Sequence, residues 1–290
     1  MSDQLAVCLR AVEEELRRWR EEGQTVVDVS DAAMEMLRDA VHAMSPPAGD
    51  SPKGGGAAAR SPSKATRQTK SSSFPEPPEI ELPEGDRPSQ WEWLRDRVLN
   101  CVTCRENLNP KGKIVFGVGD PEADLFFCGE APGADEEIKG EPFVGKAGAL
   151  LDKIILGMGL KREKTYIANV MKWRPQHENP YGNRPPTQEE MNFCLPYLKA
   201  QITLVQPKVI VALGATAVNG LLGHDSSRRM GKVRGTWHSF ENVPLMITFH
   251  PSYLLRNGST KTKRMVWEDM MMVMEKLDLP ISEKQRGYYT

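Results

Sequence analysis

The chain has 290 residues, 39% hydrophobic and 27% charged, with a net charge of -1 and a pI near 6.6. That balance excludes a global electrostatic pull on nucleic acid, so such a partner has to be met by a local basic face. No apolar run approaches the roughly 18 residues of a membrane span, the N-terminus lacks a signal peptide's apolar core, and five cysteines, an odd number, argue against a disulfide framework. A cytoplasmic protein with no membrane partner is expected.

Leu5, Leu9, Val12, Leu16 and Trp19 recur at helical spacing, and Met34, Leu37, Val41 and Met44 repeat the pattern after Ser30, an N-cap residue. Residues 1–44 therefore read as an N-terminal helical segment. Residues 45–88 are rich in Pro, Ser, Gly, Ala and Lys, with too few apolar groups to offset ordering entropy, and read as a flexible linker. Its first half is basic (Lys53, Arg60, Lys64, Arg67, Lys70) and its second half acidic (Glu76, Glu79, Glu81, Glu84). The folded domain is expected over 89–279, followed by a tail at 280–290.

Within that domain, strand-like runs at Ala123 to Cys128, Thr165 to Val170, Lys208 to Leu213 and Leu245 to Phe249 alternate with helical stripes. One stripe is Ala147, Leu150, Leu151, Ile154, Ile155 and Met158; another follows Thr187 and Glu190, a capping box; a closing one runs through Val266, Met270, Val273 and Leu277. The alternation predicts an α/β three-layer αβα sandwich around a central four-stranded parallel sheet. No internal repeat and no phosphate-binding Gly-Lys-Ser/Thr sequence occurs, so nothing supports nucleotide hydrolysis.

Three short motifs follow in order: Gly129 to Gly133 (Gly-Glu-Ala-Pro-Gly), Pro142 to Gly145 (Pro-Phe-Val-Gly) and His250 to Arg256 (His-Pro-Ser-Tyr-Leu-Leu-Arg), with Ile167 to Val170 (Ile-Ala-Asn-Val) between the last two. The first and last motifs follow apolar runs, where parallel strands end and ligands of open α/β sheets bind. In these motifs the stretch from about Trp91 to Leu277 resembles the uracil-DNA glycosylase superfamily, and within it family 4, the iron-sulfur class. The resemblance implies the uracil-DNA glycosylase fold and a monofunctional enzyme. Such an enzyme hydrolyses the N-glycosidic bond of flipped-out uracil in DNA and initiates base excision repair, acting as a monomer on uracil-containing DNA.

Such an enzyme has to hold the base flat, read its edge and stabilise departing charge. Phe143 offers a ring face, and the family's matching Phe lies against the uracil. Asn169 carries both a donor and an acceptor, as the O4 and N3–H edge requires. His250 matches the family residue that donates to uracil O2, where negative charge grows. Backbone N–H groups of the turn containing Gly129 and Ala131 add donors. Ala131 stands where better-known relatives carry an aspartate, so Glu130 becomes the first candidate to orient water, with Asp135 and Glu136 behind it. Tyr253, Leu254 and Leu255 read as an apolar wedge followed by Arg256, beside a basic set of Arg228, Arg229, Lys232, Arg234, Lys261, Lys263 and Arg264.

The family pattern implies four cysteines on a 4Fe-4S cluster. This chain supplies Cys101, Cys104 and Cys194, while the third context reads Lys172-Trp173-Arg174-Pro175, with tryptophan in the cysteine's place. Three alternatives stay open: a cluster on the three thiols, complete with His177 or incomplete; zinc with His177; or loss of the cluster. Cys8 and Cys128 are unrelated to it. Two further functional readings remain beside uracil excision: a same-fold glycosylase for another deaminated base, and a nucleic-acid binding protein with weak or lost catalysis.

Overall fold

A computed structural model describes residues 74–177 and 182–289, all within one compact unit, Lys70–Thr290. The helices expected over 1–44, and the linker as far as residue 73, lie outside the described residues. Residues 74–86, assigned above to the linker, pack on the core through Phe74, Ile80 and Leu82. These large apolar side chains outweigh the Pro and Glu around them.

The described elements run α1 (Arg87–Leu99), α2 (Val102–Glu106), β1 (Val118–Gly119), β2 (Leu125–Gly129), α3 (Ala134–Lys139), α4 (Lys146–Gly157) and β3 (Tyr166–Asn169). They continue with α5 (Gln188–Val205), β4 (Val209–Leu213), α6 (Ala215–Leu222), α7 (Met230–Val233), β5 (Trp237–Phe240) and β6 (Val243–Thr248). Last come α8 (Pro251–Arg256), α9 (Thr260–Lys276) and α10 (Glu283–Arg286). Local chemistry sets several starts. Asp86 accepts the Ser89 N–H at 2.9 Å ahead of α1. At α5 the capping box forms as expected, with Thr187 Oγ1 accepting the Glu190 N–H at 3.2 Å and Glu190 Oε2 accepting the Thr187 N–H at 2.7 Å.

The sheet order is β1-β3-β2-β4-β6-β5. β3, β2, β4 and β6 are mutually parallel, the expected four, while β1 and β5 add antiparallel edges, so the sheet has six strands. β5 escaped the sequence reading because its turn to β6, Glu241-Asn242 with both φ positive (48° and 62°), does the work of an Asn-Gly hairpin without its signature. β1 is two residues long and carries no apolar run.

Side chains of the parallel strands alternate between two buried faces, the mark of a sheet covered on both sides. Phe126, Cys128, Ala168, Ile210 and Ile247 meet Leu94 and Val98 of α1, Leu198 and Ile202 of α5 and Val218 of α6. Leu125, Phe127, Ile167, Val211 and Met246 meet Leu151 and Ile155 of α4 and Met270, Val273 and Met274 of α9. The expected C-terminal tail is docked: Trp267 Nε1 donates to the Gln285 carbonyl at 2.6 Å, and Gln285 Nε2 donates to that of Gly157 at 2.8 Å. From β2 the chain passes to β3 on one side and later to β4 on the other. The resulting switch point opens a crevice at the C-terminal end of β2.

Candidate functional site

The crevice is a cleft of about 730 Å³. Gly129 ends β2 and Asn169 ends β3, paired in register, while Gly214 follows β4 and His250 follows β6. Gly129 has to be glycine for want of space: a Cβ there would overlap Asn169 Oδ1 and come within 2.6 Å of the Phe143 ring. The base of the cleft is therefore three residues drawn together by one missing methyl group. Asn169 is 2% exposed, and its side-chain amide has no partner among the described residues. Its backbone carbonyl accepts from Lys172 Nζ at 3.0 Å, which fixes the end of β3.

Phe143 holds a left-handed φ of 53°, rare for an aromatic residue, and is 5% exposed. The turn is held by Glu136, whose Oε1 accepts the N–H groups of Val144 at 3.1 Å and Gly145 at 3.2 Å while Oε2 accepts that of Gly133 at 3.1 Å. With its oxygens so engaged, Glu136 is a clamp between the first and second motifs rather than a free carboxylate. Asp135 is exposed. Glu130 and Ala131 line the cleft. Burial pushes the Glu130 carboxyl up, and a hydrogen bond from Thr216, in the first turn of α6, partly opposes that.

His250 is the N-cap of α8, followed by Pro251 at the first helical position. Its Nδ1 accepts the Ser252 N–H at 3.1 Å and lies 2.8 Å from Ser252 Oγ. An Nδ1 that accepts a backbone proton leaves the ring's own proton on Nε2. Burial, with the Arg256 charge as a smaller contribution, pushes the imidazole down to about 4. The ring is thus held neutral, with its one proton on Nε2. The His250 and Phe143 rings stand 5.5 Å apart at 30°.

The expected apolar wedge is narrower than the motif implied. Leu254 is only 5% exposed, because helical geometry turns it inward, while Leu255 is 51% exposed and Tyr253 37%, stacked on Phe249 at 4.7 Å. Arg256, Arg229, Lys232 and Lys261 are exposed. Arg234, by contrast, is bonded to Asp269, and Arg264 to Glu268 and to the carbonyls of Arg286 and Tyr288.

Two features were missed in the sequence. Asn183, Arg184 and Pro185 also line the cleft. They are held there by Arg174 Nε to Asn183 Oδ1 at 2.8 Å and by a two-pronged Arg184–Glu190 pair at 2.6 and 2.8 Å. Asp269 of α9, fully buried, accepts from Thr248 Oγ1 at 2.6 Å and from Arg234, fixing the end of β6 two residues before His250. Neither had a local signal, since the partners lie 6 to 35 residues away, outside helical or strand spacing.

Cys101 is half-buried and caps α2, its Sγ accepting the Cys104 N–H at 3.5 Å. Cys104 and Cys194 are fully buried, and the Cys104 thiol interacts with the side chains of both Cys101 and Cys194. Trp173 is fully buried in the same core, and His177 lies exposed at the surface. Among the described residues no group of three or more His, Cys, Asp or Glu side chains is arranged to hold a metal ion. The residues present do not fit a four-thiolate cluster.

Comparison with known proteins gives a consistent result. The family described as the uracil DNA glycosylase superfamily matches residues 116–271. A type-4 uracil-DNA glycosylase of Thermotoga maritima is 43% identical over 183 residues, covering 62% of this chain and 90% of that protein. One from Archaeoglobus fulgidus is 40% identical over 172 residues, covering 57% and 84%. A type-5 uracil-DNA glycosylase of Thermus thermophilus is 29% identical over 180 residues, covering 55% and 77%.

Proposed function

The chain belongs to the uracil DNA glycosylase superfamily, and we propose that it hydrolyses the N-glycosidic bond of flipped-out uracil in DNA, initiating base excision repair. The observation that carries this reading is the Asn169 side-chain amide, which lines the cleft beside Phe143 at the end of β3 without a partner among the described residues. An amide that lines the cleft without a protein partner leaves its donor and its acceptor open to a ligand. Uracil supplies the complement: O4 accepts from Asn169 Nδ2 while N3–H donates to Oδ1. Cytosine presents the opposite pattern at both atoms and leaves two mismatched groups in the site.

The base stacks on Phe143 with O2 toward His250. As the C1′–N1 bond breaks, its electron pair passes into the uracil ring and onto O2, where the neutral imidazole donates through Nε2–H. A sugar cation remains. Water adds to C1′, oriented by Glu130, whose raised carboxyl makes it a better proton acceptor than an exposed one. The products are free uracil and an abasic site with the strand intact. Exposed Tyr253 and Leu255 hold open the base stack, Leu254 anchors them from below, and Arg256, Arg229, Lys232 and Lys261 bind phosphates. All these groups come from one chain, so a monomer suffices. No step requires a metal.

The test is excision from a labelled oligonucleotide with one uracil, followed by alkali, with wild type and Asn169→Asp side by side. Wild type cleaves and Asn169→Asp does not, since a carboxylate repels O4. Folded wild type without cleavage would defeat the assignment, and undiminished Asn169→Asp would remove Asn169 from the pocket.

A further inference from the structure

The excision chemistry leaves unused the core that holds Cys101, Cys104, Cys194 and Trp173. We propose that the Trp173 indole fills the volume an iron-sulfur cluster would need, so that this chain is a cluster-free glycosylase. In it a wedge of aromatic rings, rather than iron, joins α1 and α2 to α5.

Three observations carry this. First, among the described residues no fourth thiol is placed to complete the set. Cys128 is buried on β2 with its Sγ 3.6 Å from the Gly129 carbonyl. Second, the indole is fully buried and held on two sides by rings. Phe74 stacks on it at 6.1 Å and 16°, and Phe193 meets it edge-on at 6.2 Å. Phe193 packs in turn on Tyr197, whose side chain interacts with that of Cys101, and Trp173, Phe193, Cys104 and Cys194 share one buried core, so the ring stack reaches the thiols. The indole N–H is buried without a partner. The ring is therefore placed by shape, since a residue selected for its hydrogen bond would have an acceptor. Third, the buried ammonium of Lys172 needs no anionic cluster beside it. Its three donors are matched by the carbonyls of Phe116 at 3.4 Å and Asn169 at 3.0 Å and by Gln201 Oε1 at 2.7 Å. Leu94, Val98 and Tyr197 complete the apolar side of the joint. Its strength is that of buried area and close packing.

The test uses the full chain, before and after anaerobic reconstitution with ferrous iron and sulfide, and Trp173→Cys treated identically. Iron, acid-labile sulfide and visible absorbance are read for each. Wild type is expected to stay colourless with iron far below one per chain, and Trp173→Cys to take up about four irons, the content of a 4Fe-4S cluster. Stoichiometric iron and sulfide in wild type overturns the proposal; an iron-free, folded Trp173→Cys overturns the assignment of Trp173 as the bar. Should that variant not fold, thermal unfolding of wild type with and without an iron chelator decides. An unchanged midpoint supports the proposal, and a lowered one refutes it. None of these readouts involves uracil, so their failure is distinct from failure of the proposed activity.

Discussion

Substituting His250 separates two jobs that one ring performs. Nδ1 caps α8, and in the proposed mechanism Nε2–H faces the departing base. Asparagine is a good N-cap, but its amide ends short of the imidazole Nε2, so His250→Asn keeps the cap and loses the donor. Removing one such preorganised donor lowers a catalytic rate by about 10²–10³-fold, or roughly 2.7–4 kcal/mol. His250→Ala should lose the same activity and a further ~1 kcal/mol of stability with the cap. The assay is single-turnover uracil excision at neutral pH, with thermal unfolding on the same preparations. The two variants should match in rate and differ in stability. His250→Asn within tenfold of wild type would refute the reasoning. pH provides a second check, because burial pushes His250 down to about 4 from an ordinary 6.5. Between those values the unfolded chain takes up a proton that the folded one refuses. Stability is therefore full above pH 6.5 and falls as pH drops toward 4, by an amount on the order of 3 kcal/mol. His250→Asn should lose that part of the pH dependence. A wild-type rate that fell with a midpoint near 6.5, and stopped doing so in His250→Asn, would show that the ring is not held neutral.

Gly129→Ala puts a methyl group into Asn169 and the Phe143 ring, and excision should drop by at least 100-fold with a loss of about 1–3 kcal/mol of stability; retained activity at unchanged stability would contradict the crowding seen there. Asp269→Ala leaves the Arg234 guanidinium without its buried partner and should cost about 3–5 kcal/mol, read by urea unfolding, with loss of less than 1 kcal/mol counting against it. Since burial raises the Glu130 carboxyl, the acid limb of the rate profile should lie above the ordinary carboxylate range and vanish in a slower Glu130→Gln; an unaltered limb in that variant assigns it elsewhere.

The four parallel strands were legible because each is a short apolar run followed by Gly, Asn or His at the point where chemistry gathers. The Thr187 capping box was equally local. What escaped was non-local. β1 and β5 are joined to the sheet by backbone pairing that leaves almost no trace in side-chain pattern. The wedge motif read as three exposed residues, yet adjacent positions on one helical turn point different ways, and Leu254 points in. Glu136 read as a reserve candidate to orient water behind Glu130, and only the fold shows three N–H groups from two loops converging on it. Asp269 and Arg184 act through partners 35 and 6 residues away, and periodicity cannot announce such pairs.

The Glu136 clamp bears on how this cleft can be altered. The turn after β2 and the turn carrying Phe143 share one carboxylate as their common fastening, so they are mechanically a single part. Grafting either loop alone from a relative of different base preference would leave half of the fastening unmatched and let the Phe143 ring drift. Only exchange of Gly129 to Gly145 as one block carries the fastening with it, and directed evolution confined to one loop will meet this barrier first.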